Sequence, residues 1–418
     1  LRGAFIMQHN NKVKSVSRHR NVEGMYFSDV IKQQLKHDAP YAWHLLTQSR
    51  HNPTFNQKSL QRLEERLESY MDCFILSEEA NDSLLDTLNL DDWGAVYVMA
   101  KVALTCEKEE ALTQALDTVN SKRQAQELSH AFNEQELSSV QNILQKCIVH
   151  ENQWVRVACI ETLTHFALKP DDTLVLTLLK DESIAVQVST LRLIAKQKLK
   201  NYVKEITTYF THENEALKYA AVYAGCMLQV PEAYKVLQEF CFTQNTFLKD
   251  ALALLYCVIE ENKIEEVYSY VSNLESTARI HAYNMAMAGY IESIPQLISQ
   301  MHSLEHARYC GEAFTFITGV GLQDFDLIRI ENLTDEEEEQ MRASSKLDEW
   351  TQNYEEDLPI PDAVLVEKWW SENAQNFQPN SRYLAGKLMT KENLETIKLT
   401  GNQTQQDVAT LILECRYS

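Results

Sequence analysis

Glu151-Asn152-Gln153-Trp154-Val155-Arg156-Val157-Ala158 is the stretch on which the reading of this chain turns. It joins an acidic, polar turn to a phrase of the form apolar–basic–x–small, and that phrase recurs. Copies begin at Val155, Val186, Leu217, Leu248, Ala278 and Ala307, in steps of 31, 31, 31, 30 and 29 residues. The second position reads Arg156, Gln187, Lys218, Lys249, Arg279 and Arg308. The fourth is mostly small: Ala158, Ser189, Ala220, Ala251, His281 and Cys310. A period in this range marks stacked supersecondary units, none able to bury its apolar face alone. Each unit resolves into a leading helix, a polar turn and a trailing helix that carries the phrase. Turn residues such as Asn152, Ser183 and Asn214 can cap the trailing helices by accepting from first-turn amides. The recurring Arg/Lys is expected to reach the polar turn of a neighbouring repeat as a structural ladder rather than to grip a ligand.

Working outward, Trp93 lies 62 residues before Val155, two repeat lengths, so the stack is expected to continue N-terminally in degenerate form through Gln124. Leu60, Leu63, Leu67, Tyr70, Met71 and Phe74 fall on one stripe of a helix expected over residues 59–76. Residues 321–357 hold 13 acidic and 3 basic side chains and read as a solvated linker. Beyond it, Asp362 can cap a helix bearing Val366, Trp369 and Trp370, and two more helices are expected at 391–399 and 405–415. The expected organisation is an arm at 1–24 (or a remnant ahead of Met7), an N-terminal helical domain at 25–120, and repeats at 121–320. An acidic linker at 321–357 and a small helical cap at 358–418 complete it.

Composition bounds the function. The chain has 418 residues with only 10 Gly and 8 Pro, which disfavours an all-β protein rich in turns. A formal net charge of -21 repels nucleic-acid phosphates and draws basic partners. Nine cysteines, an odd number with no CxxC spacing, mostly lie in apolar helical stretches, as expected of a reducing cytoplasm. No apolar run reaches the length needed to cross a bilayer, so no membrane partner is expected.

The central segment resembles HEAT repeats, in which the second helix opens with an acidic turn, then Val-Arg and a small residue. The resemblance implies an all-α, HEAT-like α-solenoid with a right-handed superhelix. Both ends are more particular. Arg62-Leu63-Glu64-Glu65-Arg66-Leu67-Glu68-Ser69-Tyr70-Met71-Asp72 resembles the N-terminal signature of an uncharacterised bacterial HEAT-repeat family. Leu358-Pro359-Ile360-Pro361-Asp362, Trp369-Trp370 and Arg382-Tyr383-Leu384-Ala385-Gly386-Lys387 resemble its closing signature. The final helix carries Gln403, Gln405 and Gln406 where that family has Arg and Gln. The likeness covers nearly the whole chain from residue 28. Members are often encoded near type VI secretion components, which implies work with secreted toxins as adaptor, chaperone or immunity protein. The family supplies no catalytic residues to carry over.

Enzymatic signatures fail on inspection. His302-Ser303-Leu304-Glu305-His306 spells HxxEH, but the repeat register sets it across a bend between two helices, where its histidines cannot share a face. Gly319-Val320-Gly321 belongs to no phosphate loop. Trp369-Trp370 and Arg382-Tyr383 read as structural contacts. Projection of 154–166 as a helix points Val155, Cys159, Thr162, Leu163 and Phe166 inward and Glu161 outward. Arg192 and Tyr223 are its repeat equivalents, so Glu161, Arg192 and Tyr223 form the candidate partner-binding row. The reading is a non-enzymatic, cytoplasmic protein-binding scaffold without catalytic residue, metal or cofactor. Its expected partner is a secreted effector, a toxin or a secretion-spike component. A HEAT-like DNA glycosylase would need a basic concave face that the charge opposes, and a HEAT-like lyase an acid–base pair that the sequence does not reveal.

Overall fold

The computed structural model describes residues 28–50, 52, 55, 57–79, 83–243, 245–274, 277–329, 334–337, 339 and 358–417. The expected arm and most of the acidic linker lie outside them. The fold is all-α and built from helical repeats. It divides into two compact units at Ala224/Gly225, within a helix.

In the N-terminal unit, α1 (Asp29–Ser49) packs on α2 (Gln57–Glu79) and on α3 (Trp93–Thr105). The stripe expected on α2 turns Leu67, Met71 and Phe74 into the core. Next come α4 (Glu109–Thr118), α5 (Lys122–Asn133), α6 (Leu137–Cys147) and α7 (Gln153–His165). They are followed by α8 (Asp172–Leu179), α9 (Ile184–Lys196), α10 (Val203–Thr208) and the start of α11 (Glu215–Met227). Helices α3, α5, α7 and α9 pack side by side in that order, so the row starts at Trp93, as the spacing predicts.

A polar cap holds the period. Ser121 accepts from Gln124 N, Asn152 from Trp154 N, Ser183 from Val186 N and Asn214 from Leu217 N, at 3.3, 2.9, 3.4 and 3.1 Å. Asn245, one further step of 31 along, accepts from Phe247 N at 2.8 Å. The first four each satisfy an amide that the first helical turn leaves open, whereas Asn245 holds the amide of Phe247 just ahead of α13. The ladder is present at Arg156, which donates to the His150 and Glu151 carbonyls and pairs with Asp181 at 2.8 Å in the next turn. In the C-terminal unit Lys249 and Arg279 lie over tyrosine rings of the next trailing helix instead. Lys249 sits 5.1 Å from the Tyr283 ring and Arg279 4.7 Å from that of Tyr309. Val155, Cys159, Thr162 and Leu163 point inward as projected, while Phe166 is only half-buried.

The C-terminal unit continues with α12 (Pro231–Cys241), α13 (Leu248–Val258), α14 (Ile264–Ser272), α15 (Ala278–Ala288), α16 (Ile294–Met301) and α17 (Leu304–Thr318). Here α13, α15 and α17 make the row. The closing segment comprises α18 (Ala363–Asn373), a hairpin of β1 (Tyr383–Leu384) and β2 (Lys387–Leu388), α19 (Lys391–Thr400) and α20 (Gln403–Arg416). Asp362 caps α18 through the Val364 and Leu365 amides, as expected. The hairpin was not legible in the sequence. Its two turn residues, Ala385 and Gly386, have φ of 51° and 72°, the left-handed pair of a tight hairpin turn.

This segment docks on the repeats and belongs to the same compact unit. It closes three successive trailing helices at their carbonyl ends. Arg416 donates to the carbonyls of Tyr256, Cys257 and Ile259 at the end of α13. Arg382 donates to Met287 and Ala288 at the end of α15. Gln405 donates to Thr315 in α17, and the Ala385 and Gly386 amides donate to Phe316 and Ile317. Apart from Thr315, whose carbonyl also accepts from the Gly319 amide, these carbonyls lie at or past the last helical turn, where the helix supplies no partner, and the cations meet the negative ends of the dipoles.

Candidate functional site

The N-terminal unit's trailing row is the candidate working face. Its positions repeat in register: His130, Glu161, Arg192 and Tyr223 fall at successive steps of 31. Arg192 is exposed and Glu161 half-buried. Tyr223 corrects the expected exposed row, for it is only 9% accessible. The cause is local: from Leu217 to Leu228 every residue of α11 and its exit is buried except Lys218. Helical projection gave the side of α11 on which Tyr223 stands but not what covers it. The open part of the row is therefore His130, Glu161 and Arg192.

Beside it lies a network that the sequence reading missed. In the α5 copy, the position held by Ala158, Ser189, Ala220 and Ala251 elsewhere is taken by Glu127. Its side chain is fully buried, and a carboxylate there must be paired to be tolerated. Trp43 Nε1 donates to Glu127 Oε2 at 2.5 Å, Arg123 Nε lies 2.8 Å from Oε1, and His130 Nδ1 lies 3.3 Å from Oε2. The Arg123 contact is a close ion pair with the N–H out of line, not an aligned hydrogen bond. The Trp43 ring stacks on Tyr97 at 3.5 Å and 2°. Tyr97 OH donates to Glu134, which also pairs with Lys101. Burial, reinforced by Glu134, pushes the Tyr97 hydroxyl well above its ordinary range.

The same packing extends to the start of α3. Trp93 is held between the His44 imidazole at 3.5 Å and the Arg123 guanidinium at 3.8 Å. His44 Nε2 lies 2.7 Å from Asp92 Oδ1. Burial pushes the Asp92 carboxyl up, but His44 and the Gly94 and Ala95 amides outweigh it and hold it below its ordinary value. His165, one turn beyond Glu161 on α7, is pushed down by burial and by His130. Trp43, Tyr97 and Glu127 are 1%, 0% and 0% accessible, so the network binds α1, α3 and α5 together without admitting a ligand between its rings. His130, Lys101 and Glu134 carry its polar edge outward. The available signal was the register: Ser121 stands 31 residues before Asn152, which sets Glu127 against Ala158.

The HxxEH motif is split as expected. His302 ends α16, Ser303 forms the turn and Leu304 opens α17, with His306 Nε2 3.9 Å from Glu305 Oε2. Among the described residues, no three His, Cys, Asp or Glu side chains are grouped to hold a metal ion. No helix among them is long and apolar enough to cross a membrane. Trp369 packs edge-on against Phe314 at 5.8 Å, and Trp370 lies 5.4 Å from Phe377, so both tryptophans make structural contacts. The fold defines an all-α helical-repeat protein whose trailing helices stack within each unit. No protein-family model, curated protein or solved structure matches this chain.

Proposed function

We propose that this chain is a non-enzymatic protein-binding scaffold whose partner docks on the trailing row of the N-terminal unit. The observation that carries the reading is the uninterrupted packing of α3, α5, α7 and α9. It presents Lys101, Glu134, His130, Glu161 and Arg192 as a strip of mixed charge on rigid helices. Stacked repeats build extended faces of this kind, and mixed charge on a rigid support favours specific protein recognition. The likeness of both chain ends to a family linked with type VI secretion supports a finer reading, that of adaptor or chaperone for a secreted effector in the cytoplasm. The net charge of -21 supports immunity against a basic toxin as the second reading.

The test is a pull-down with the full chain from lysate of its own cells, read by mass spectrometry. One protein recovered at equal stoichiometry, and lost with Arg192→Glu, is the expected result. A toxicity assay on that protein then separates the readings, since an immunity protein abolishes toxicity and an adaptor leaves it intact while also binding a spike component. Recovery of nucleic acid alone at physiological salt overturns the scaffold reading.

A further inference from the structure

The acidic balance of the chain reverses in one place. Residues 183–204 carry five basic side chains (Arg192, Lys196, Lys198, Lys200 and Lys204) and no acidic one, in a chain with 60 acidic and 39 basic residues. The run wraps the end of α9 and the start of α10, and Arg192, Lys200 and Lys204 are exposed. Among the described residues none of these three makes an ion pair or a side-chain hydrogen bond. The acidic residues nearest in sequence flank the run: Glu182 is exposed and Glu205 half-buried. Slightly further off, Asp181 pairs with Arg156, and Asp172 accepts from Asn201 and Tyr202.

Local helix energetics explain only part of the run. Lys196 lies in the last turn of α9, where a cation meets the negative end of the dipole. Lys200 and Lys204 flank the start of the six-residue α10, whose first turn also carries Glu205, so no helix end accounts for them.

We infer that Arg192, Lys200 and Lys204 form a docking patch for an acidic segment of the partner protein. This rests on the scaffold reading and names the partner's chemistry at the row. A peptide carboxylate fits better than a nucleic-acid backbone. Charge is screened beyond about 10 Å at 0.1 M salt, so a short acidic segment senses the patch alone, whereas a long polyanion also meets the surrounding acidic surface.

The probe is a fluorescein-labelled oligo-glutamate peptide titrated with the full chain by anisotropy at about 0.1 M salt, beside a duplex DNA of matched length. The test variant is Arg192→Glu/Lys200→Glu/Lys204→Glu. The control reverses three exposed cations of the C-terminal unit, Lys235→Glu/Lys387→Glu/Lys398→Glu. Thermal melting checks that both variants fold. The expected result is saturable oligo-glutamate binding weakened about tenfold or more in the test variant and little changed in the control. No binding, equal loss in both variants, or tighter binding of DNA overturns the patch. A partner retained equally by the test variant and the unaltered chain also overturns it and leaves the scaffold reading standing. Failure of the unaltered chain to capture any partner sinks that reading instead.

Discussion

The exits of the trailing helices differ between the two ends of this molecule although the backbone does the same thing at each. After α7 and α9 the chain turns left-handed at Ala167 and Lys198, with φ of 50° and 53°. After α15 and α17 it does so at Gly289 and Gly319, with φ of 73° and 74°. Gln229, after α11, adopts φ of 61° without being glycine. The left-handed turn alone has therefore not selected glycine here. The closing segment has. A Cβ on Gly319 would lie 2.6 Å from the Ala385 carbonyl, and one on Gly289 would lie 2.8 Å from Tyr383 O. Glycine appears where another backbone lies against the exit, and ordinary residues remain where water does. The interior shows the converse: the closing segment brings half-buried Arg382 and Arg416 to carbonyl ends, while the N-terminal unit places a carboxylate inside its own row.

The largest effect is expected from that carboxylate. Glu127→Ala restores the small residue of the other repeats but strips Trp43 Nε1 and Arg123 of their partner. A loss of about 3 kcal/mol in chemical denaturation is expected, and Glu127→Gln should recover much of it by keeping the indole bond. Stability unchanged by Glu127→Ala would show the network to be dispensable. Next comes Arg382→Met, which keeps bulk but leaves the Met287 and Ala288 carbonyls without their donor. A loss of about 2 kcal/mol is expected, confined to the C-terminal unit by hydrogen exchange. Protection lost equally from α5 and α7 would contradict independent closure of the two rows.

The sequence made the period, the caps and the inward residues of α7 legible because each depends on neighbours along one helix or on the repeat itself. Trp93 and Gln124 already placed α3 and α5 in register. The chemistry on those helices was hidden because Glu127 acquires its meaning from Trp43 and His130, and Trp43 lies 84 residues away. Tyr223 misled for the related reason that a helical face is fixed locally but its cover is not. The hairpin at Tyr383–Leu388 escaped because two-residue strands leave no alternation to read.

Gly319→Ala probes the covered exit directly. The added methyl must displace the Ala385 backbone and hold φ of 74°, so a loss of about 2 kcal/mol is expected. Asp92 gives a smaller, pH-dependent effect. Its folded-state value is lowered, so its contribution is complete above the ordinary value of about 3.9 and is lost as pH falls through the lower folded value. Because the His44–Asp92 pair is partly exposed, the contribution after screening is under about 1 kcal/mol. Melting of the unaltered chain and Asp92→Asn should differ at about pH 6 and converge toward the acid end; a difference that grows with acid would reverse the assignment.

The smallest effect decides the comparison most cleanly. Ala167 is exposed and left-handed, with no covering backbone to forbid either residue. Replacing it by glycine relieves the strain of a Cβ at positive φ, worth about 1 kcal/mol. It also frees the unfolded chain, which returns roughly half of that. A net gain of about 0.5 kcal/mol is expected for Ala167→Gly, opposite in sign to Gly319→Ala at a nearly equal backbone angle. If both substitutions destabilise, the exit at Ala167 is held by something other than its conformation, and the division between covered and open exits fails. If the signs oppose, the glycines of the C-terminal unit are a record of where the closing segment lies.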